Sequence, residues 1–566
     1  MKTLRNISRM ISAILCIMLI CMILPADVCA TSSAKSSAKT TAKSDTSFVH
    51  TKGRELVCDD GTVYTIKGIS MGNDVWSSPT SAPVGDHDES SFRELSDMGF
   101  NCVRFYLNYS LFESDKAPYK YRKAGFDWLD RNISWAKKYH IRLILNMHYP
   151  QGGYQSQGGG DALWTDKSCQ DRLTALWGKI ADRYADEDTI LGYGLVNEPI
   201  PVGKTSARDG LRVWQELAQR ITDRIRKNDE HHIIFVEKVL GVKDPATRET
   251  DWSLSQEETF ITIKDRNVVY EFHSYDPFRF THQGFSWAGT ENVHTSYPNN
   301  EAYFSDTQWI TFSAADRADV KTNGRQRIES RRFTVTDAQV NAVGITLQAS
   351  RIGKGSTVYA DSMYIDEYDA GGKLIGSIYC DPSAFGYWSA DGSGSGYDTD
   401  KDGIFSLCIR DTTSDANMSS IKLAYTKGHT YRVRGYIQTE KAAPEAVVTL
   451  RLDQYHAGRI IESSRDILLS SVQPALAVSK KTGCPVYCGE YGAGIHCFED
   501  RGGEKWVSDM MDILTENGIG CNYHSYKDGS FGLYYDKDGK TIKNTVLERI
   551  FRSKYKAKSL KQKAKS

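Results

Sequence analysis

From residue 64 to 277, short apolar runs alternate with longer amphipathic ones. "YTIKGIS" (64–70), "NCVRFYL" (101–107), "RLILNMH" (142–148), "ILGYGLVNE" (190–198), "HIIFVEKV" (232–239) and "NVVYEFHSYDP" (267–277) read as strands. Runs such as "LILNM" and "VVYEF" are apolar at both parities, the pattern of parallel strands buried on both faces. Between most of them the period changes to that of a helix. Phe126, Leu129, Ile133 and Ala136 share one face, as do Leu173, Leu176, Ile180 and Tyr184, and Leu211, Trp214, Ala218, Ile221 and Ile225.

The rhythm breaks at about residue 300. "RRFTVT", "NAVGITLQAS", "STVYADSMYIDEYD", "HTYRVRGYIQT" and "AVVTLRLDQYH" are short β-type runs with Gly, Asp and Ser clustered between them. They predict an all-β domain, a sandwich, over residues 301–455. The α/β pattern then resumes with a helix over 463–483, the strand "CPVYCGEYGA", a helix over 503–518, the strand "IGCNYHSY" and a closing helix over 544–553. Eight strands with one guest domain predict a (β/α)8 barrel, residues 48–300 and 456–555, with the sandwich inserted after the sixth strand.

The termini differ in kind. Residues 1–30 carry Lys2 and Arg5, the apolar run "ISAILCIMLICMIL" and small residues before Ala30, which predicts a secretory signal peptide and an extracellular protein. No later apolar run approaches the roughly 20 residues of a membrane span. Residues 31–47 are a low-complexity Ser/Thr/Ala/Lys linker, and 556–566 are a basic tail. Acidic and basic residues balance at 71 each, so no global field points to nucleic acid. The expected partner is uncharged, or is recognised locally. Cys58, Cys102, Cys169, Cys380, Cys408, Cys484, Cys488, Cys497 and Cys521 follow the leader; without a CxxC pair they read as mostly buried free thiols.

Catalytic groups of such barrels sit at the C-terminal strand ends. Those ends hold Arg104, His148, Asn197, Glu198, His273, Tyr275, Glu490 and His524. Two carboxylates flanking a glycosidic bond are what sugar hydrolysis requires, one protonating the leaving oxygen and one attacking or activating water. Trp76, Trp164, Trp252 and Trp287 fall in loops where indoles could stack on pyranose rings, and Trp309, Tyr387 and Trp388 could do the same in the sandwich. A zinc reading of His148, His273 and His524 is set aside, because the carboxylate pair already accounts for the chemistry; Glu237 is expected to play a structural or distal role.

"NCVRFYL", "LILNMHY", "LVNEP", "FHSYDP", "PVYCGEYG" and "YHSYKDGSFGLY" occur in one order that resembles glycoside hydrolase family 5, the cellulase-type retaining glycosidases. The resemblance implies that Glu198 is the acid/base and Glu490 the nucleophile of an endo-β-glycanase acting on β-1,4-glucan. Mannan, xylan, xyloglucan and mixed-linkage glucan cleavage by the same machinery are the alternatives, as is a non-catalytic polysaccharide-binding protein; the partner implied is a polysaccharide or oligosaccharide, met by a monomer with no cofactor. It further implies that Arg104, His148, Asn197, His273 and Tyr275 contact or orient the sugar. His524 stands where this family usually has a Trp; either it supplies a polar contact, or a loop aromatic such as Trp287 replaces the platform. More loosely, the insert is similar to sandwich carbohydrate-binding modules.

Overall fold

The computed structural model describes residues 48–556, apart from 252–253, 292, 300–301, 323, 383–387, 392–393 and 421. Residues 1–30, the segment 31–47, residues 557–566, Trp252 and Tyr387 lie outside the described residues. Two compact units divide the described chain: Phe278–Ile467, and the remainder up to Pro277 and from Leu468.

In the larger unit eight parallel strands close on themselves. Six come early: β1 (Lys67–Met71), β2 (Cys102–Asn108), β3 (Arg142–Tyr149), β4 (Ile190–Gly194), β5 (Ile233–Glu237) and β6 (Val268–Ser274). The other two, Val486–Tyr491 and Gly520–Tyr523, close the ring between β6 and β1. Helices Glu89–Met98, Lys123–Lys138, Lys167–Tyr184, Gly210–Ile225, Arg465–Thr482 and Gly503–Glu516 supply most crossovers. Between β5 and β6 no helix stands among the described residues; short pairings of Val242–Lys243 with Thr250–Asp251 take its place. Local chemistry sets the boundaries. The Asp88 carboxylate accepts the Ser90 N–H at the start of the first helix, and Gly99, at φ 95°, ends it in the left-handed conformation.

The barrel interior is layered, because inward positions recur every second residue. Cys102, Ile144, Ile233, Phe235, Val269 and Tyr487 form an apolar base, joined by Val49 and Leu56 of a preceding hairpin. Two residues further along, Arg104 follows Cys102, Glu237 follows Phe235 and Glu271 follows Val269, all buried. Polarity therefore rises along the strands toward the mouth.

The second unit holds two antiparallel sheets. One orders Ala302–Ala314 (β7), Val447–Glu462, Ala342–Ser350, Asp415–Ser420 and Trp388–Asp391; the other orders Gln326–Glu329, Thr430–Glu440, Thr357–Tyr368, Phe405–Arg410 and Ser395–Thr399. Ile345, Leu347, Leu450 and Leu452 of the first bury themselves against Val358, Ile365, Leu407 and Val433 of the second in one core. That is a sandwich. Trp388 is buried in this core, donating its indole N–H to the Asp381 carbonyl. None of the described helices is long and apolar enough to cross a membrane. Cys102, Cys169, Cys408, Cys488 and Cys521 are buried free thiols, and Cys484 is half-buried.

Candidate active site

Arg104 organises the floor of the mouth. With no solvent exposure, it gives Nη1 to Glu490 Oε1 at 2.6 Å and Nη2 to Asn197 Oδ1 at 2.9 Å; its Nε forms an ion pair with Glu271 Oε1 at 2.9 Å, and Glu237 Oε2 lies 3.4 Å from Nη2. A buried guanidinium is tolerable only when compensated in this way. Room for Glu271 comes from Gly489, where an added Cβ would fall 1.8 Å from its Oε1.

Glu490 is the most fully bonded of the carboxylates at the mouth. Tyr106 donates its hydroxyl to Oε1 at 2.6 Å, and Tyr275 donates to Oε2 at 2.7 Å. Burial alone would raise its pKa, but the positive charges of His273 and Arg104 hold it well below the usual carboxylate range. Glu490 is therefore an anion. Burial pushes the Tyr106 and Tyr275 hydroxyls up, so both stay protonated donors.

Glu198 reaches the same space from another direction. It lies beyond β4, after Leu195 N and Asn197 N have bonded the Phe235 and Met147 carbonyls of the flanking strands. Its φ of 42° is unusual for a non-glycine residue, and more so before Pro199, since residues preceding proline favour extended backbone. The carboxylate accepts from His273 Nδ1 at 2.9 Å. One oxygen each of Glu198 and Glu490, with a His273 nitrogen, lie within 4.8 Å of one another.

His273 links the two acids to the layer beneath. Nε2 stands 3.3 Å from Glu237 and 3.7 Å from Glu271, and Nδ1 is 3.7 Å from Glu490. Burial would lower its pKa, but Glu237, Glu490 and the bonds to Glu198 and Glu271 raise it well above the ordinary histidine value, so it is an imidazolium. Glu237 is raised far above the carboxylate range, first by burial and then, against His273 and Arg104, by Glu271. His148 is the opposite case: burial lowers it well below the usual value, leaving a neutral ring stacked on Tyr106 at 3.8 Å.

The remaining predicted residues separate. Asn197 bonds Arg104 and, through Nδ2, Ser156. His524 meets the Tyr106 hydroxyl at 3.0 Å through Nδ1, 3.9 Å from Glu490, so it supplies a polar contact. Because the Tyr106 proton goes to Glu490, His524 Nδ1–H is the donor in that pair. Trp76 is 44% exposed and stands edge-on over His148 and Tyr106, an indole presented at the mouth. Trp164 is not presented: it is buried, its indole N–H bonded to Gln155 Oε1 at 2.8 Å. Trp287 belongs to the sandwich unit, packed near Phe285 and His282.

Tyr106 and Glu271 were not anticipated as site residues. The signal was parity, since Tyr106 is two residues after Arg104 and Glu271 two before His273, on the same inward faces. Among the described residues two sets, Glu198/His273/Glu490 and Glu237/Glu271/His273, bring three ligand atoms close enough to surround a cation. The same atoms already serve the hydrogen bonds and ion pairs above.

Residues 57–322 match the model of cellulase, glycosyl hydrolase family 5; the matched span contains Glu198 but stops short of Glu490. Endoglucanase C of Acetivibrio thermocellus is 27% identical over 226 residues, 39% of this chain and 60% of that protein. Cellodextrinase A of Ruminococcus flavefaciens is 27% identical over 265 residues, 44% of this chain and 72% of that protein. The chain thus spans less than two thirds of the endoglucanase C relative. Endoglucanase Cel5A of Thermotoga maritima superposes with a TM-score of 0.44 at 17% identity, over 86% of this chain and 96% of that one. The matched residues 57–322, which hold the first six strands of the closed barrel, are thus similar to the cellulases of glycosyl hydrolase family 5.

Proposed function

We propose that the protein is a secreted, monomeric endo-β-glycanase that hydrolyses β-1,4-linked glucan with retention of anomeric configuration. The observation that carries this reading is the close approach of Glu198 and Glu490, within 4.8 Å between ligand oxygens. Retaining glycosidases hold their carboxyls about 5–5.5 Å apart, whereas inverting ones need roughly 6.5–9.5 Å to admit a water.

The residues divide the work as follows. Glu490 attacks the anomeric carbon while the bond to the leaving oxygen breaks and Glu198 transfers its proton to that oxygen. A water then attacks the glycosyl ester, giving its proton back to Glu198, and Glu490 leaves as carboxylate. Tyr106, Tyr275 and Arg104 keep Glu490 ionised and aligned. Asn197, anchored by Arg104, is placed to meet the sugar 2-hydroxyl, and Trp76 offers a stacking face at the mouth.

The endoglucanase relatives favour glucan, and the leader-like residues 1–30 favour export. Release of reducing ends from β-1,4-glucan, xyloglucan, β-mannan and mixed-linkage glucan tests the reading. Wild-type protein is expected to act on at least one polymer, β-1,4-glucan first, and Glu490→Gln on none; turnover by Glu490→Gln would refute the assignment.

A further inference from the structure

The outer face of one sandwich sheet places exposed aromatic rings beside buried polar side chains. Along Val447–Glu462 the residues alternate: Leu450 and Leu452 enter the sandwich core, while Arg451, Asp453 and Tyr455 point the other way. An outward carboxylate should be solvated, yet Asp453 is 1% exposed. It is enclosed by Thr346 Oγ1 at 2.6 Å, the Arg451 guanidinium at 2.8 Å and the Trp309 indole N–H at 3.3 Å.

On the neighbouring strand β7 a register shift falls between Trp309 and Thr311, so Trp309 pairs with Tyr455 and Phe312 with Asp453. That bulge turns both aromatic rings to the same face, which regular alternation would forbid for positions three apart. Trp309 is 52% exposed and Phe312 is 41% exposed, with centroids 6.2 Å apart. Arg451 packs on Phe312 at 4.9 Å. Trp309, Asn417, Ser419, Arg451, Asp453 and Tyr455 line a cavity of about 340 Å³, within the roughly 300–1,000 Å³ typical of small-ligand sites. Asn417 Oδ1 is buried and, among the described residues, meets no hydrogen-bond donor. It is an acceptor awaiting a donor.

We propose that this cavity is a second saccharide site, which takes an uncharged chain of β-linked pyranoses with one ring stacked on Trp309. The exposed indole, fixed by its bond to Asp453, matches the C–H face of a pyranose. Around it stand a carboxylate, an amide, a hydroxyl and a guanidinium, the mixture of donors and acceptors that a polyol satisfies. Arg451 and Asp453 offset one another's charge, and Lys422, whose ammonium lies 4.8 Å from the Tyr455 ring centroid, has its charged form disfavoured by burial.

The test is calorimetric titration of the full-length Glu490→Gln protein with cellohexaose, xylohexaose and mannohexaose. Two binding events are expected for at least one oligosaccharide. Adding Trp309→Ala should remove one event and leave the other; adding Asn417→Ala should weaken the same event at least fivefold. Circular dichroism and thermal melting check that each variant is folded, and Asn417→Ala serves if Trp309→Ala is not. A single event with all three oligosaccharides, or two events unchanged by both substitutions, would overturn the proposal.

Discussion

Replacing Tyr106 with Phe isolates one support of the proposed nucleophile. The ring is fully buried and stacks on His148, and Phe preserves that stack while deleting the hydroxyl. What is lost is a 2.6 Å bond to Glu490 Oε1, together with the acceptor that meets His524 Nδ1. A hydrogen bond to a charged group contributes about 1.5–3 kcal/mol. At pH well below the acidic limb, kcat/KM follows the ionised fraction of Glu490. Destabilising the anion by that amount should therefore lower kcat/KM about 10- to 150-fold there, with a much smaller loss at neutral pH. The limb itself moves to higher pH, since removing a donor to a carboxylate raises its pKa. Measuring kcat/KM on an aryl β-cellobioside from the lowest pH at which the fold survives up to pH 8 decides the matter, the limb of the variant being expected about 1–2 units above that of the wild type. A uniform loss at every pH, with the limb unmoved, would mean that Tyr106 only packs.

Three further outcomes follow from the same geometry. Glu198→Gln should cost about 10²- to 10⁴-fold on cello-oligosaccharides, and much less in the glycosylation step of aryl glycosides whose phenols leave without protonation; equal losses in single-turnover measurements would remove Glu198 as the acid. Gly489→Ala drives a methyl into the Glu271 carboxylate, and such overpacking costs about 1–3 kcal/mol, or roughly 2–10 °C in melting midpoint; an unchanged midpoint would mean the strand yields freely. Because the His273 pKa is raised, its contribution to stability is full below about pH 6.5 and is lost as pH rises through the folded-state value. The alkaline fall in melting temperature should be shallower in His273→Gln, and identical profiles would contradict the assigned charge.

Much of the barrel could be read from the chain because its strands are apolar at both parities and its helices keep a 3.6 period, as in Leu211–Ile225. Glu198 and Glu490 stood out because each interrupts an apolar run at a strand end. Glu271 did not, since a buried acid inside "VVYEFHSY" looks like any strand residue until Arg104 is seen opposite it. Trp164 and Trp76 were indistinguishable in sequence: both follow a barrel strand in stretches without helical period, but Trp164 lies in the short helix Asp161–Thr165, buried against Trp214 with its N–H on Gln155. The β7 bulge was equally hidden, because no residue type in "DTQWITF" marks the shift that aligns Trp309 with Phe312.

Double displacement through Glu490 is the central claim, and the configuration of the first-formed product tests it most directly. Proton NMR of cello-oligosaccharide hydrolysis, recorded before mutarotation, should show the β-anomer of the new reducing end appearing first. Initial appearance of the α-anomer would contradict the account, whatever the separation of Glu198 and Glu490.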